Sequence, residues 1–141
     1  MEEILSLQKL AYLSEAEIYS DFSIPPLVQT LEQLKKEFDT HIFLKAMEDG
    51  RIIGSVRASA VDGICTIFKL MVHPDFQNKG IGSSLVKKME EMFGDCKRFE
   101  IFTGHKSERN LYLYRKLGYE TFKTVKLKDD LDMVYLAKQQ R

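Results

Sequence analysis

The stretch that most constrains this chain is Leu70-Met71-Val72-His73-Pro74-Asp75-Phe76-Gln77-Asn78-Lys79-Gly80-Ile81-Gly82-Ser83-Ser84-Leu85. A β-type apolar run stops at Pro74, a polar loop with two glycines follows, and apolar residues then recur at helical spacing from Ile81. Such a strand–loop–helix unit gathers backbone N–H groups at a helix N-terminus, with no side chain at Gly80 or Gly82 to hold a ligand away. Unpaired donors and the positive end of a helix dipole favour phosphate oxygens. Phosphate binding is the first expectation.

Three phosphate-binding signatures compete for this loop. The dinucleotide pattern G-x-G-x-x-G needs a third small residue where Leu85 stands. The nucleotide P-loop needs Gly-Lys-Ser/Thr, whereas Lys79 precedes Gly80 and Ile81 follows it. The pattern Gln/Arg-x-x-Gly-x-Gly/Ala fits, as Gln77-Asn78-Lys79-Gly80-Ile81-Gly82. With Leu70-x-Val72-x-Pro74 before it and Leu113-Tyr114-Arg115-Lys116-Leu117-Gly118-Tyr119 after it, the chain resembles the GNAT superfamily of N-acetyltransferases. Two separate motifs in the family's order carry the resemblance.

Composition sets the class of protein. A chain of 141 residues is enough for one domain over 1–141 with a true core. Lysine plus arginine equals aspartate plus glutamate at 21 each, so no basic excess points to nucleic acid. No apolar run is long enough for a bilayer helix, Met1-Glu2-Glu3 begins no signal peptide, and no membrane partner is expected. Cys65 and Cys96 form neither a metal motif nor a disulfide framework, and His41, His73 and His105 lack ligand spacing. No metal is expected, and a reducing cytoplasm is the expected location.

Periodicity predicts helices over 2–15 and 27–38 and strands over 41–47, 51–60 and 64–72. A helix follows the glycine loop with Gly94 as its cap signal, then a strand over 98–103. Ser107 is the predicted N-cap of a helix ending at Leu117, and Gly118 closes it. Strands over 119–128 and 131–138 complete an α+β pattern. The resemblance implies a mixed β-sheet flanked by helices. The family usually opens with a strand, whereas helical patterning starts here almost at Met1. The sheet is therefore expected without that strand, whether the form is naturally short or the strand lies outside this sequence. That leaves the 41–47 strand as an open edge prone to self-association, and a homodimer among the partners to consider.

The resemblance also implies the chemistry. An amine attacks the thioester of acetyl-coenzyme A directly, and the protein supplies position and electrostatics. Backbone groups of Leu70, Met71 and Val72 would pair with the pantetheine arm, and an N–H near Met71 or Val72 would polarise the acetyl carbonyl. Gln77, Asn78, Lys79, Gly80, Ile81, Gly82 and Ser83 would hold the pyrophosphate. Tyr114 matches the family tyrosine beside the coenzyme sulfur and is the expected general acid. Asn110, one turn earlier on the same helix face, is the expected amide contact to the coenzyme arm. A second family pattern places asparagine seven residues before that tyrosine; Ser107 stands there. For the general base a carboxylate, a histidine or a water chain all stay open: Glu100 on a strand is one candidate, and His73 after the coenzyme strand is another catalytic candidate. Glu15, Glu17, Tyr19 and Asp21, read between the first two helices, fall where the resemblance implies the acceptor site, and their acidic and aromatic make-up would suit a cationic amine. The non-enzymatic alternative is an inactive coenzyme A-binding sensor or interaction module.

Overall fold

The computed structural model describes residues 1–140. It opens with helix α1 (Glu2–Tyr19), a short α2 (Pro25–Val28) and α3 (Leu31–Thr40). Strands β1 (Ile42–Glu48), β2 (Arg51–Val61) and β3 (Ile64–Val72) follow as an antiparallel meander. A 3-10 turn at Pro74–Phe76 leads to α4 (Ile81–Met92), β4 (Arg98–Gly104), α5 (Glu108–Lys116) and the hairpin β5 (Glu120–Lys128) and β6 (Leu131–Gln139). The expected α+β order holds. Asp49-Gly50 and Asp62-Gly63 close the first two hairpins with φ near +50° and +80°, the paired left-handed conformation that two-residue hairpin loops need.

Three local readings need correction. The helix expected over 2–15 runs on to Tyr19, so Glu15, Glu17 and Tyr19 lie on α1 and not between helices. The helix expected over 27–38 is two helices, because the chain breaks at Gln29 and restarts at Thr30. There Gln33 donates its N–H to Thr30 Oγ1 at 3.2 Å, and Thr30 donates its own to Gln33 Oε1 at 2.9 Å. This capping box outweighs the helical spacing of Leu27, Leu31, Leu34 and Phe38, which runs unbroken across the gap. Gly94 is not a left-handed cap either; Phe93 ends α4, and its N–H reaches Met89 O at 3.1 Å.

The sheet has six strands in the order β1-β2-β3-β4-β6-β5, and only β3 and β4 run parallel. Their pairing spans Ile64↔Arg98 to Ile67↔Ile101 and stops there. Beyond it, β3 continues to Val72 beside β2, and β4 continues to Gly104 beside β6. A register shift between Ser55 and Arg57, with Lys69 left-handed at φ 52°, marks a bulge where β3 turns away. The two strands therefore diverge, and their facing backbone edges open into a wedge.

One face of the sheet carries the core. Val56 and Ala58, Cys65 and Ile67, Phe99 and Ile101, and Val134 and Leu136 alternate inward from four strands. They meet Leu85, Val86 and Met89 of α4 and Leu111 and Tyr114 of α5. On the opposite face the fully buried Arg57 ties α1 and α3 to β2. It pairs with Glu37 at 3.1 Å, bonds Gln8, and lies 4.8 Å from the Phe43 ring. Burial pulls its pKa down and Glu37 opposes that shift. Removing one partner of such a pair costs roughly 3–5 kcal/mol, since a charge is then left buried alone. Among the described residues no helix is long and apolar enough to cross a membrane.

Candidate active site

The wedge leads into a cavity of about 540 Å³ enclosed by β3, the glycine loop, α5 and α1. Of the residues expected to hold the coenzyme, Leu70, Met71, Val72, Gln77, Asn78, Gly80, Ile81, Gly82, Ser83 and Asn110 line it. Lys79 lines a neighbouring shallow depression instead, with its ammonium 5.2 Å from the Phe76 ring centre.

Local conformation explains why the loop offers its donors. Asn78 and Gly80 both take left-handed backbone, at φ 64° and 82°, so the chain turns sharply into α4. Gly80 is the N-cap and brings no side-chain capping bond. The first helical hydrogen bond recorded at this end is Ser84 N–H to Gly80 O, 3.0 Å. The N–H groups of Ile81, Gly82 and Ser83 therefore lack helical acceptors, as helix geometry requires. A Cβ built on Gly54 would stand 3.1 Å from Ile81 Cγ2 and Leu85 Cδ1, so that glycine is what lets α4 sit close against the sheet. The resulting seat is concave, donor-rich and free of carboxylates, and it suits a pyrophosphate.

The loop is fastened on both sides. Gln77 donates from Nε2 to Val72 O at 3.3 Å, and Arg109 of α5 donates to Gln77 Oε1 and, at 3.2 Å, to Asn78 Oδ1. Asn110 donates to Thr103 Oγ1 of β4 at 3.2 Å, which fixes its amide at the cavity wall. Ser107 is the N-cap of α5 as expected, but its side chain makes no capping bond. It donates instead to Glu15 Oε2 at 2.5 Å and lies 3.3 Å from the Tyr19 hydroxyl. Lys106 N–H reaches that same Tyr19 hydroxyl at 2.8 Å. The end of α1 is thereby pinned to the start of α5 across the mouth of the wedge.

Tyr114 does not line the cavity; it lies beneath it, 3% exposed, within the core. Its hydroxyl makes no hydrogen bond to another described residue, yet it is not among the sealed unpaired polar atoms, so part of it stays accessible. Burial pushes its pKa above the ordinary tyrosine value, and Tyr12 and Glu15 push the same way. Tyr12 shows the same response to burial and to Glu15, with Arg57 opposing. Tyr12 and Glu15, both on α1, line the cavity above the Tyr114 ring.

Other candidates stand elsewhere. Glu100 accepts from Arg98 Nε at 2.8 Å and is not part of the wall. His73 accepts the Asp75 N–H on Nδ1 at 3.1 Å and is likewise outside it. Glu17 and Asp21 do not line the cavity, and Asp21 is paired with Lys128. Arg109 and Tyr12 belong to the site although no sequence motif includes them. The spacing of Ala11, Glu15 and Ile18 on one helical face is a usable signal for the α1 wall. No local signal announces Arg109.

The buried acids have a consequence for stability. Burial pushes Cys65 up from 9.0 to about 12, and raises Tyr12, Tyr114 and Tyr119 above their ordinary 10.0. A raised folded pKa gives stability that is complete below the unfolded value and is lost as pH climbs towards the folded one. Unfolding should therefore become easier above about pH 9, by roughly 1.4 kcal/mol per pH unit for each group past its unfolded pKa. Urea titrations at pH 8 and pH 10.5 measure this; coincident midpoints would contradict the burial of these four groups.

Known proteins resemble this chain in sequence and in fold. The family model described as the acetyltransferase (GNAT) family matches residues 2–119. "UPF0157 protein YqkA" of Bacillus subtilis is 30% identical over 124 residues, 88% of this chain; the chain spans only 36% of that protein's length. "Acetyltransferase YE1169" of Yersinia enterocolitica is 30% identical over 95 residues, which is 66% of this chain and 67% of that protein. Among solved structures, the PaiA N-acetyltransferase of Thermoplasma acidophilum in complex with coenzyme A aligns with a TM-score of 0.83 at 18% identity. That alignment covers 99% of this chain and 92% of the other, and speaks for a shared fold.

Proposed function

This chain belongs to the acetyltransferase (GNAT) family, and we propose that it transfers an acetyl group from acetyl-coenzyme A directly to a primary amine of a small molecule or a protein. The observation that carries this reading is the cavity. A wedge between two parallel strands runs into a seat of backbone donors at the start of α4, and α1 forms another wall of the same cavity.

In this reading the pyrophosphate of the coenzyme rests on the N–H groups at the start of α4, with Gln77, Asn78 and Ser83 around it. Lys79 adds positive charge at the rim. Leu70, Met71 and Val72 offer the backbone edge that β4 leaves unpaired, where the pantetheine arm adds like a strand. Asn110 contacts the same arm. A backbone N–H near Met71 or Val72 polarises the acetyl carbonyl as oxyanion charge builds. The amine nitrogen attacks the carbonyl carbon, the C–S bond breaks, and Tyr114 supplies a proton or a hydrogen bond to the departing sulfur. Both cysteines are buried in the core, so neither is placed to carry the acetyl group.

A thiol-release assay with acetyl-coenzyme A and a panel of alkylamines, amino acids, aminoglycosides and peptides tests the reading. Turnover on at least one amine is the expected result. Tight coenzyme binding without turnover across the panel would move the assignment to an inactive coenzyme-binding module.

A further inference from the structure

Charges of both signs line the cavity, Glu15 on α1 and Glu108, Arg109 and Lys116 on α5. Arg109 stands at the loop end and bridges Gln77 and Asn78. The α1 wall carries Glu15, in contact with Ser107, and Glu108 stands between Ser107 and Arg109 on α5. Neither carboxylate is paired with a cation among the described residues.

Building on the acetyl-transfer reading, we infer that Glu15 binds the ammonium of the acceptor and takes its proton, and that the acceptor is a cationic amine with no carboxylate beside the reacting nitrogen. Glu15 is held in place from one side only. Ser107 donates to Oε2 at 2.5 Å, and Ser107 is itself 2% exposed and braced by Tyr19, leaving Oε1 free of protein partners among the described residues. A carboxylate fixed by a buried hydroxyl, with one oxygen open to a cavity, is preorganised to accept a proton or an N–H⁺ bond. Tyr12 shares the α1 wall with Glu15, Glu108, Arg109 and Lys116 of α5 line the same cavity, and Tyr114 lies beneath it. The tyrosines are neutral in the working range because burial raises both. The rival carboxylate on the sheet, Glu100, is already engaged by Arg98.

The protons balance. The acceptor enters as R–NH₃⁺ and gives one proton to Glu15, which frees the lone pair that attacks the acetyl carbon. After the C–N bond forms, the nitrogen sheds a second proton as the C–S bond breaks, and the sulfur leaves as thiolate and is protonated. Products are the amide, the free thiol and one proton released to water from Glu15. A carboxylate on the acceptor's reacting carbon would be driven against Glu15, a like-charge contact that costs affinity.

Two probes isolate this point: 1-aminopentane, and 2-aminohexanoate, which is the same chain with a carboxylate on the carbon bearing the nitrogen. The wild-type protein should acetylate the first about tenfold more efficiently than the second. Glu15→Gln keeps an acceptor for Ser107 but removes the charge. It should lower kcat/KM for 1-aminopentane about thirtyfold, erase the preference between the probes and leave the Kd for acetyl-coenzyme A unchanged. Equal kinetics in wild type and Glu15→Gln would overturn the assignment. Should the protein bind acetyl-coenzyme A but release no thiol, saturation-transfer NMR of 1-aminopentane on the coenzyme A-loaded protein decides. A transfer signal that disappears in Glu15→Gln supports the site; a signal that persists in the variant, or that neither protein gives, overturns it. Failure of the underlying acetyl-transfer reading looks different: the wild-type protein would bind no acetyl-coenzyme A, or bind it and release no thiol with any amine, and the NMR signal then tests the ammonium site alone.

Discussion

Gly82→Asp should raise the Kd for acetyl-coenzyme A by about three orders of magnitude while leaving the fold intact. The wild-type glycine sits in the first turn of α4 with no left-handed φ. A Cβ there would stand 3.4 Å from Leu113 Cδ2, 3.6 Å from Leu70 Cδ2 and 3.8 Å from Val72 Cγ2, all ordinary contacts. A methyl group is thus accommodated, and Gly82→Ala is the control for space alone. Aspartate adds a charge as well. Near a helix N-terminus that charge is favourable to the protein itself, so stability should hold or rise slightly. The same carboxylate competes for the N–H groups that the pyrophosphate needs. It also opposes the phosphate charge, at about 4 kcal/mol for a unit pair 4 Å apart in a site of intermediate dielectric. Calorimetric titration of wild type, Gly82→Ala and Gly82→Asp checks the ordering; equal affinity for wild type and aspartate variant would remove the pyrophosphate from this loop.

What can be read from residue order here is what depends on neighbours in the chain. The bounds of β3, the two Asp-Gly hairpins, the left-handed Gly80 and Gly118 and the helices on either side of them all follow from local pattern. The break between α2 and α3 is also written locally, as Thr30 three residues before Gln33, but regular leucine spacing masks it. The wedge is not readable from pattern, because it needs the bulge at Lys69 and the end of pairing between two strands that lie more than thirty residues apart. Tyr114 and Asn110 share a helix face as their spacing requires, yet only packing decides that Asn110 reaches the cavity wall while Tyr114 is drawn beneath it. The Ser107–Glu15 contact joins residues 92 apart, and a serine before a helix reads first as a cap. Buried Arg57 leaves a trace, a cation inside the apolar run Val56-Arg57-Ala58, that predicts a partner without identifying Glu37 or Gln8.

Tyr114→Phe should keep the coenzyme and lose rate. The ring is part of the core beside Tyr119, with centroids 6.5 Å apart, and phenylalanine preserves that packing. Removing a hydroxyl that has no protein partner among the described residues strands no other buried group, so stability should change little. The loss falls on catalysis. General acid assistance is typically worth about 10² to 10⁴-fold. Two features place this case at the lower end. A thiolate with an ordinary pKa near 8.5 is already a tolerable leaving group. The Tyr114 hydroxyl, raised by burial, is a reluctant acid that stabilises the sulfur chiefly as a hydrogen-bond donor. A kcat deficit of about a hundredfold is therefore expected with an unchanged coenzyme Kd. The deficit should be full below the thiol pKa and shrink above it, where the departing sulfur needs no proton. Steady-state kinetics from pH 6.5 to 9 with a confirmed amine acceptor, alongside calorimetric coenzyme binding, separate the two quantities. Wild-type turnover in the variant would make Tyr114 a packing residue and leave protonation of the sulfur to water or to the neighbouring hydroxyl of Tyr12.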